Sequence, residues 1–361
     1  MDFSSEPPHS RLLRVQGREP FNAEPPSSSL VNHHITPVEL VYNRNHGPVR
    51  ILDEHSHSIQ IQDEIHAKNM TISLPELKSL PRASVVAAHQ CAGNRRNEMG
   101  KIKPVTGTGW DDGVVANCRW DGVRLRDVLV HVGVPYAEDL HVCFASHAAP
   151  CQDDKYYGAS IPMKRAYALE SDVLLAYEMN EEPIPSDHGG PLRVVVPGVV
   201  GARWVKWVDT LTISAHESPN AYQQRDYKVL PPNVDSIEAA GPVWARYPPL
   251  MTLPLNSVVA TVDHDLQHGR LVVKGYATPS DEGNITVVDV STDDGKTWVP
   301  ARIVYQEGKW SWTLWEVELF DVQLHGVVLS RATDASGNVQ NRECEWNFRG
   351  VAYNAWGRRE W

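Results

Sequence analysis

The residues best placed to do chemistry set a thiol against positive charge. In QCAGNRR (90–96) an apolar run, SVVAAHQ (84–90), is broken at Gly93, so Cys91 stands at a strand end with Arg95 and Arg96 close behind it. Positive charge favours the thiolate, the form that ligates metals and attacks as a nucleophile. The plainer alternative is a buried structural cysteine. A second segment, YNRNHGP (42–48), holds Arg44 and His46 in a turn closed by Gly47-Pro48, and a surface turn reads the same way. A third, DHGGPLRVVVPGVVGARWVKW (187–207), brackets a continuous apolar run with His188 and Arg193 at one end and Arg203 and Lys206 at the other. RDYK (225–228) adds Tyr227, and WNFRGV (346–351) adds Arg349, which in a β-sandwich would ordinarily be solvated.

The common catalytic signatures GxSxG, HExxH, GxxxxGK[ST] and GxGxxG are absent. His33-His34 and His55-Ser56-His57 have no ligand partners at defined spacing and read as exposed or structural histidines. The five cysteines are odd in number and lack CxxC spacing, which excludes a disulfide framework or zinc ribbon and suits a reducing compartment.

These segments need a framework to bring them together, and 361 residues allow about two domains. Hydrophobic residues at 42% and charged residues at 22% are those of a folded globular chain. Residues 1–30, with EPPHS and EPPSSS, read as an extended arm lying on the first domain. Residues 31–235 mix helix candidates (74–80 and 124–134) with strand candidates (84–90, 172–179 and 191–198), giving an α+β domain. The Pro-rich stretch 230–246 reads as a linker. Beyond it, within 236–361, short alternating strands with turns at Asp293-Asp294-Gly295 and Ser336-Gly337-Asn338 predict an all-β immunoglobulin-like sandwich.

Net charge is −11, which argues against nucleic-acid binding, so an anionic ligand must meet a local basic pocket. No apolar run approaches the roughly 18 residues of a membrane span, and the first residues, MDFSSEPPHSRLL, lack the pattern of a signal or transit peptide. A soluble intracellular protein is expected, cytoplasmic by default, with mitochondria and peroxisomes left open; the C-terminal GRREW is no SKL-type signal.

Taken together and in order, the five segments resemble the sulfite oxidase family of molybdenum enzymes, from FNAEPP (21–26) to Trp356. The resemblance implies a sulfite-oxidase-type molybdopterin domain followed by an immunoglobulin-like domain that forms a homodimer. It implies a molybdenum-molybdopterin cofactor with Cys91 as the metal ligand, and a soft thiolate suits that metal. Tyr42, Asn43, Arg44, Asn45, His46, His188, Arg193, Trp204, Val205 and Lys206 would hold the pterin and its phosphate. Arg44, Arg96 and Arg349 would surround an oxyanion in a pocket lined by Trp110 and Tyr227. One position departs from the family pattern: Ala148 stands where an acid is usual, and Asp153 could replace that acid only through a shifted loop.

The implied reaction is oxidation of sulfite to sulfate, with Tyr227 donating to the bound oxyanion. No haem-ligating His-Pro-Gly-Gly-type region is present, so no haem is expected and electrons would pass to oxygen or an external acceptor. Two alternatives stay open. A nitrate-reductase-like molybdenum oxidoreductase shares the cysteine motif but tends to carry an apolar residue where this chain has Arg349. The other is a non-catalytic molybdopterin or immunoglobulin-like binding protein.

Overall fold

Strand Val115–Arg124 is buried along almost its whole length, which places it inside a sheet rather than at an edge. It pairs antiparallel with Arg82–Gln90 on one side and Leu174–Met179 on the other. Leu174–Met179 in turn takes Glu182–Pro183 and Arg193–Val195, completing a five-stranded sheet. A second five-stranded sheet runs in the order Lys68–Ser73, Ser58–Asp63, Thr210–Ser214, His141–Ser146, Tyr157–Pro162, with a parallel pair between Ser58–Asp63 and Thr210–Ser214. The computed structural model describes residues 1–265, 268–280 and 283–361. One continuous core, including Ile61, Leu77, Val123, Leu129, Val194 and Leu211, joins both sheets.

The short helices follow local chemistry. Leu74–Lys78 starts in a capping box between Ser73 and Glu76. Leu125–His131 buries Leu125, Val128 and Leu129 on one face, at the spacing expected from its sequence.

From Asn256 onward the chain forms two four-stranded sheets. One holds Asn256–Asp265, Arg270–Thr278, Thr313–Phe320 and Arg302–Gln306; the other holds Val299–Pro300, Ile285–Ser291, Val327–Asp334 and Gly357–Glu360. Leu271, Val273, Val288, Val290, Trp315 and Ala332 fill the space between them. This is the expected sandwich. Among the described residues no helix is long and apolar enough to cross a membrane.

Residues 1–30 are not merely an extended arm. Arg14–Gly17 and Asn22–Glu24 form a hairpin over a small cluster of Leu13, Phe21 and Ala23, and Ser27–Leu30 makes one helical turn. The buried Glu24 carboxylate accepts the Asp111 and Gly113 N–H groups at 2.9 and 3.0 Å, and burial pushes its pKa up to about 7. An acid tied to distant loop amides leaves no local sequence pattern.

The two sandwich sheets and the first domain meet through polar ties. Arg95 donates to Asn256 Oδ1 and the Ala355 carbonyl, both at 2.7 Å, and to the Trp356 carbonyl at 3.0 Å, while Glu98 holds its other face. Asn94 donates to the Tyr276 hydroxyl at 2.9 Å. The Ala88 N–H donates to the Trp310 carbonyl at 2.8 Å, and Trp310 Nε1 reaches Asp172 at 3.0 Å. Arg95→Met keeps the buried volume but strands two carbonyls and Asn256, so a loss of roughly 3–5 kcal/mol is expected. Denaturant unfolding of the purified variant measures it; a change below ~1 kcal/mol contradicts the tie.

Candidate active site

Cys91 follows directly on strand Arg82–Gln90, and its N–H donates to the Val114 carbonyl at 3.0 Å, so the loop leaves the sheet in register with its neighbour. The thiol is buried, with the Gly93 N–H aimed at Sγ over 3.4 Å. Arg95 then adopts a left-handed backbone, φ 65°, and opens helix Arg96–Ile102. That turn sends the two arginines in different directions. The expectation that both act on the thiol is corrected here, because the Arg95 guanidinium is wholly engaged by Glu98 and the second domain. Arg96 stays beside the site, donating to the carbonyls of Thr108, Arg349 and Gly350 at 2.8, 3.1 and 3.0 Å. Burial draws the Arg96 pKa down to about 10, with Arg44 and Arg349 adding to the fall and Cys91 opposing it. Gly93 is required because a Cβ there would lie 2.7 Å from the Arg96 guanidinium carbon.

A cleft of about 780 Å³ opens at Cys91. Of the residues singled out in the sequence, Tyr42, Arg44, Asn45 and His46 form one part of its lining, with His188, Arg193, Trp204, Lys206 and Tyr227 forming the rest. Asn43 and Val205 do not line it: the Asn43 backbone pairs with Ala23 in both directions, and the Val205 carbonyl accepts the Val194 N–H. Arg96, Trp110 and Arg349 also lie outside that lining. Arg349 Nη2 is 3.5 Å from the Asp226 carboxylate, both side chains under a fifth exposed at 19% and 17%. It is therefore not a solvated surface cation.

Inside the cleft, cations crowd one another. Burial, then Arg193, brings the Lys206 pKa down to about 7, with Asp187 and Glu6 pulling the other way. Lys206 Nζ donates to Asn45 Oδ1 and to the Asp187 carbonyl. Arg193 donates to the carbonyls of His188 and Trp204 at 2.7 and 3.2 Å and lies over the Trp120 ring. Burial, Lys206 and Arg193 hold His188 down to about 3, so it is neutral.

His46 links Arg44 to Tyr227. Burial and the Arg44 charge push it well below the usual histidine range, so its ring is neutral. Arg44 Nη2 faces His46 Nδ1 at 3.4 Å and can only donate, which makes Nδ1 the acceptor. Nε2 then carries the proton and donates to the Tyr227 oxygen at 2.7 Å. The Tyr227 O–H is thereby left to donate elsewhere.

Asp153 does not take the place of the family's acid in the lining. Its carboxylate meets the Tyr222 hydroxyl at 3.3 Å and lies with Asp226 near His46, while Ala149 and Cys151 line the cleft on that loop. Sequence reasoning passed over His89, Tyr157, Asp187 and Trp207, which also line it. His89 had a signal: it precedes Cys91 by two residues on the strand and so shares its face.

These residues fit a metal-bearing pterin with a phosphate. A buried thiol supplies a soft ligand, and Arg193 and Lys206 supply cations for the anion. Trp110 Nε1, Arg193 Nε and Arg349 Nε are buried donors with no partner among the described residues, and Asn43 Oδ1 is a buried acceptor without one.

Known proteins resemble this chain along nearly its whole length. Residues 46–222 match the family model of the oxidoreductase molybdopterin binding domain, and residues 248–360 match the Mo-co oxidoreductase dimerisation domain. Sulfite oxidase of Arabidopsis thaliana is 42% identical over 99% of this chain and 95% of that protein. Sulfite oxidase of Gallus gallus is also 42% identical, over 99% of this chain and 79% of its own length. A nitrate reductase of Ulva prolifera is 36% identical over 97% of this chain and 43% of that protein. Among solved structures, the sulfane dehydrogenase SoxCD of Paracoccus pantotrophus superposes with a TM-score of 0.77 at 26% identity, covering 100% of this chain and 86% of that one. With both domains matched and 99% of its length covered at 42% identity, the chain belongs to the sulfite oxidase family of molybdopterin oxidoreductases.

Proposed function

We propose that the protein oxidises sulfite to sulfate at a molybdenum-molybdopterin centre. The observation that carries this reading is the approach of Arg349, from the second domain, to the cations beside Cys91: Arg96 donates to its carbonyl at 3.1 Å, and its charge adds to those of Arg44 and Arg96 in lowering His46. Three guanidinium groups whose charges all act on His46, in a chain of net charge −11, suit a small oxyanion.

When bound, the cofactor supplies the two-electron redox chemistry. Cys91 would ligate its metal, with the Gly93 N–H facing the sulfur at 3.4 Å. Tyr42, Arg44, Asn45, His46, His188, Arg193, Trp204 and Lys206 hold the pterin and its phosphate, and Asn43 and Val205 support them through the backbone. Arg44, Arg96 and Arg349 draw in and orient sulfite against the wall formed by Trp110 and Tyr227. The free Tyr227 O–H donates to the anion, its tautomeric partner fixed by Arg44 through His46. Overall, sulfite and one water would become sulfate, with two electrons and two protons released. Oxygen or an external acceptor takes the electrons.

Metal analysis together with sulfite-dependent oxygen uptake on purified protein tests this reading. Stoichiometric molybdenum with sulfite oxidation, and no reduction of nitrate, is the expected result. A metal-free protein overturns it, and nitrate turnover in place of sulfite turnover replaces it with the nitrate alternative. The partner we assign to the second domain is a second copy of this chain. Light scattering at micromolar concentration is expected to give the dimer mass, and a monomer throughout contradicts it.

A further inference from the structure

The first ten residues carry a device that the reaction does not use. The Glu6 carboxylate accepts the Val49 N–H at 2.9 Å, just beyond Gly47 and Pro48, which line the cleft. His9 Nδ1 lies 3.0 and 3.1 Å from the two carboxylate oxygens of Asp187, which lines the cleft from another segment. His9 Nε2 and Glu6 meet each other at 3.2 Å. The three side chains are only 10–16% exposed, so they are shielded from water and salt in a way surface pairs are not. Two segments that line one cleft are therefore joined by one continuous bridge, Val49 to Glu6 to His9 to Asp187.

The bridge reaches the cofactor cleft by two routes. Asp187 accepts Lys206 Nζ on its carbonyl at 3.1 Å. On the other side His9 stacks flat on Phe21, with ring centroids 3.6 Å apart, and the Phe21 carbonyl holds the Asn45 amide at 2.8 Å, whose oxygen accepts Lys206. Glu6 and Asp187 are also the acids that partly oppose the fall in the Lys206 pKa.

We infer that Glu6 and His9 are positioning residues of the cofactor site, forming a clasp that ties two segments of its lining together and slows release of the bound pterin. The inference rests on the reading of the cleft given above. The clasp touches neither Cys91 nor the arginine cluster, so its work is retention and placement of Lys206 rather than chemistry on sulfite.

The experiment follows pterin released into the filtrate from purified, loaded holoenzyme, read as fluorescence after oxidation. Loss of a shielded charge-assisted bridge in His9→Ala is expected to raise the release rate roughly tenfold. His9→Gln, which can donate to only one of the two acids, is expected to fall between. Glu6→Gln keeps an oxygen for the Val49 N–H and breaks only the His9 bond, so it is the variant to read if His9→Ala does not fold. Glu6→Gln/His9→Ala together are expected to release no faster than His9→Ala alone, a non-additivity that a general loss of stability would not produce. Release at the wild-type rate in these variants, or effects that simply multiply, overturns the clasp. Wild-type protein without pterin or molybdenum overturns the reading of the cleft and the clasp with it, so the two failures are told apart.

Discussion

Cys91→Ser protein is expected to remain folded, to retain pterin, and to oxidise no measurable sulfite. The thiol is buried at the end of a strand whose register is fixed by Ala88, Cys91 and Val114 backbone bonds, and a hydroxyl fits the same space. Ligand softness changes most, because an alkoxide is a far poorer partner for this metal than a thiolate. The pterin keeps its hold through Arg193, Lys206 and their neighbours on the far walls of the cleft, which the substitution does not touch. Pterin fluorescence, circular dichroism and steady-state turnover on one preparation decide the matter. Near-normal turnover by the folded variant rejects Cys91 as the metal ligand.

Arg349→Met is expected to raise the sulfite Michaelis constant by roughly ten- to a hundredfold, the cost of one charge-assisted hydrogen bond of about 1.5–3 kcal/mol, with molybdenum content unchanged. The structure adds a second reason for the size of the effect. Burial already raises the Asp226 pKa and Arg349 is the first group that opposes it, so the substitution leaves a half-buried carboxylate without its cation beside an incoming anion. Discrimination against nitrate is expected to weaken in the same variant. Unchanged kinetics in metal-replete protein would refute both the placement of Arg349 and the main ground for choosing sulfite over nitrate.

The sequence was readable where chemistry is local and opaque where it is relayed. QCAGNRR announced a thiol at a strand end because the apolar run, the glycine and the cations are contiguous. It could not say where each arginine goes: Arg95 and Arg96 are identical in type, yet past the left-handed φ at Arg95 one is engaged by Glu98, Asn256 and Ala355 and the other by the carbonyls of Thr108, Arg349 and Gly350. In WSWTLW (310–315) the strand begins only at Thr313, and Trp310 instead bridges to Ala87 of the first domain. Strand Gly357–Glu360 has no apolar alternation to betray it; pairing with Val327–Asp334 makes it a strand. The hairpin within residues 1–30 was hidden likewise, since Glu24 is satisfied by amides nearly ninety residues away.

The Arg95 tie bears on how such a chain can be recombined. Drawn as sheets, the molecule divides neatly at the Pro-rich stretch, which invites treating its halves as exchangeable parts. Yet the loop that presents Cys91 is held at Asn94, Arg95 and Arg96 by Tyr276, Asn256, Ala355 and Gly350, all beyond that boundary. A chimaera carrying a foreign sandwich would join two intact cores and still lose the scaffold of its cysteine loop, unless those few contact positions travelled with the graft. The heritable unit of this site is the pair of domains.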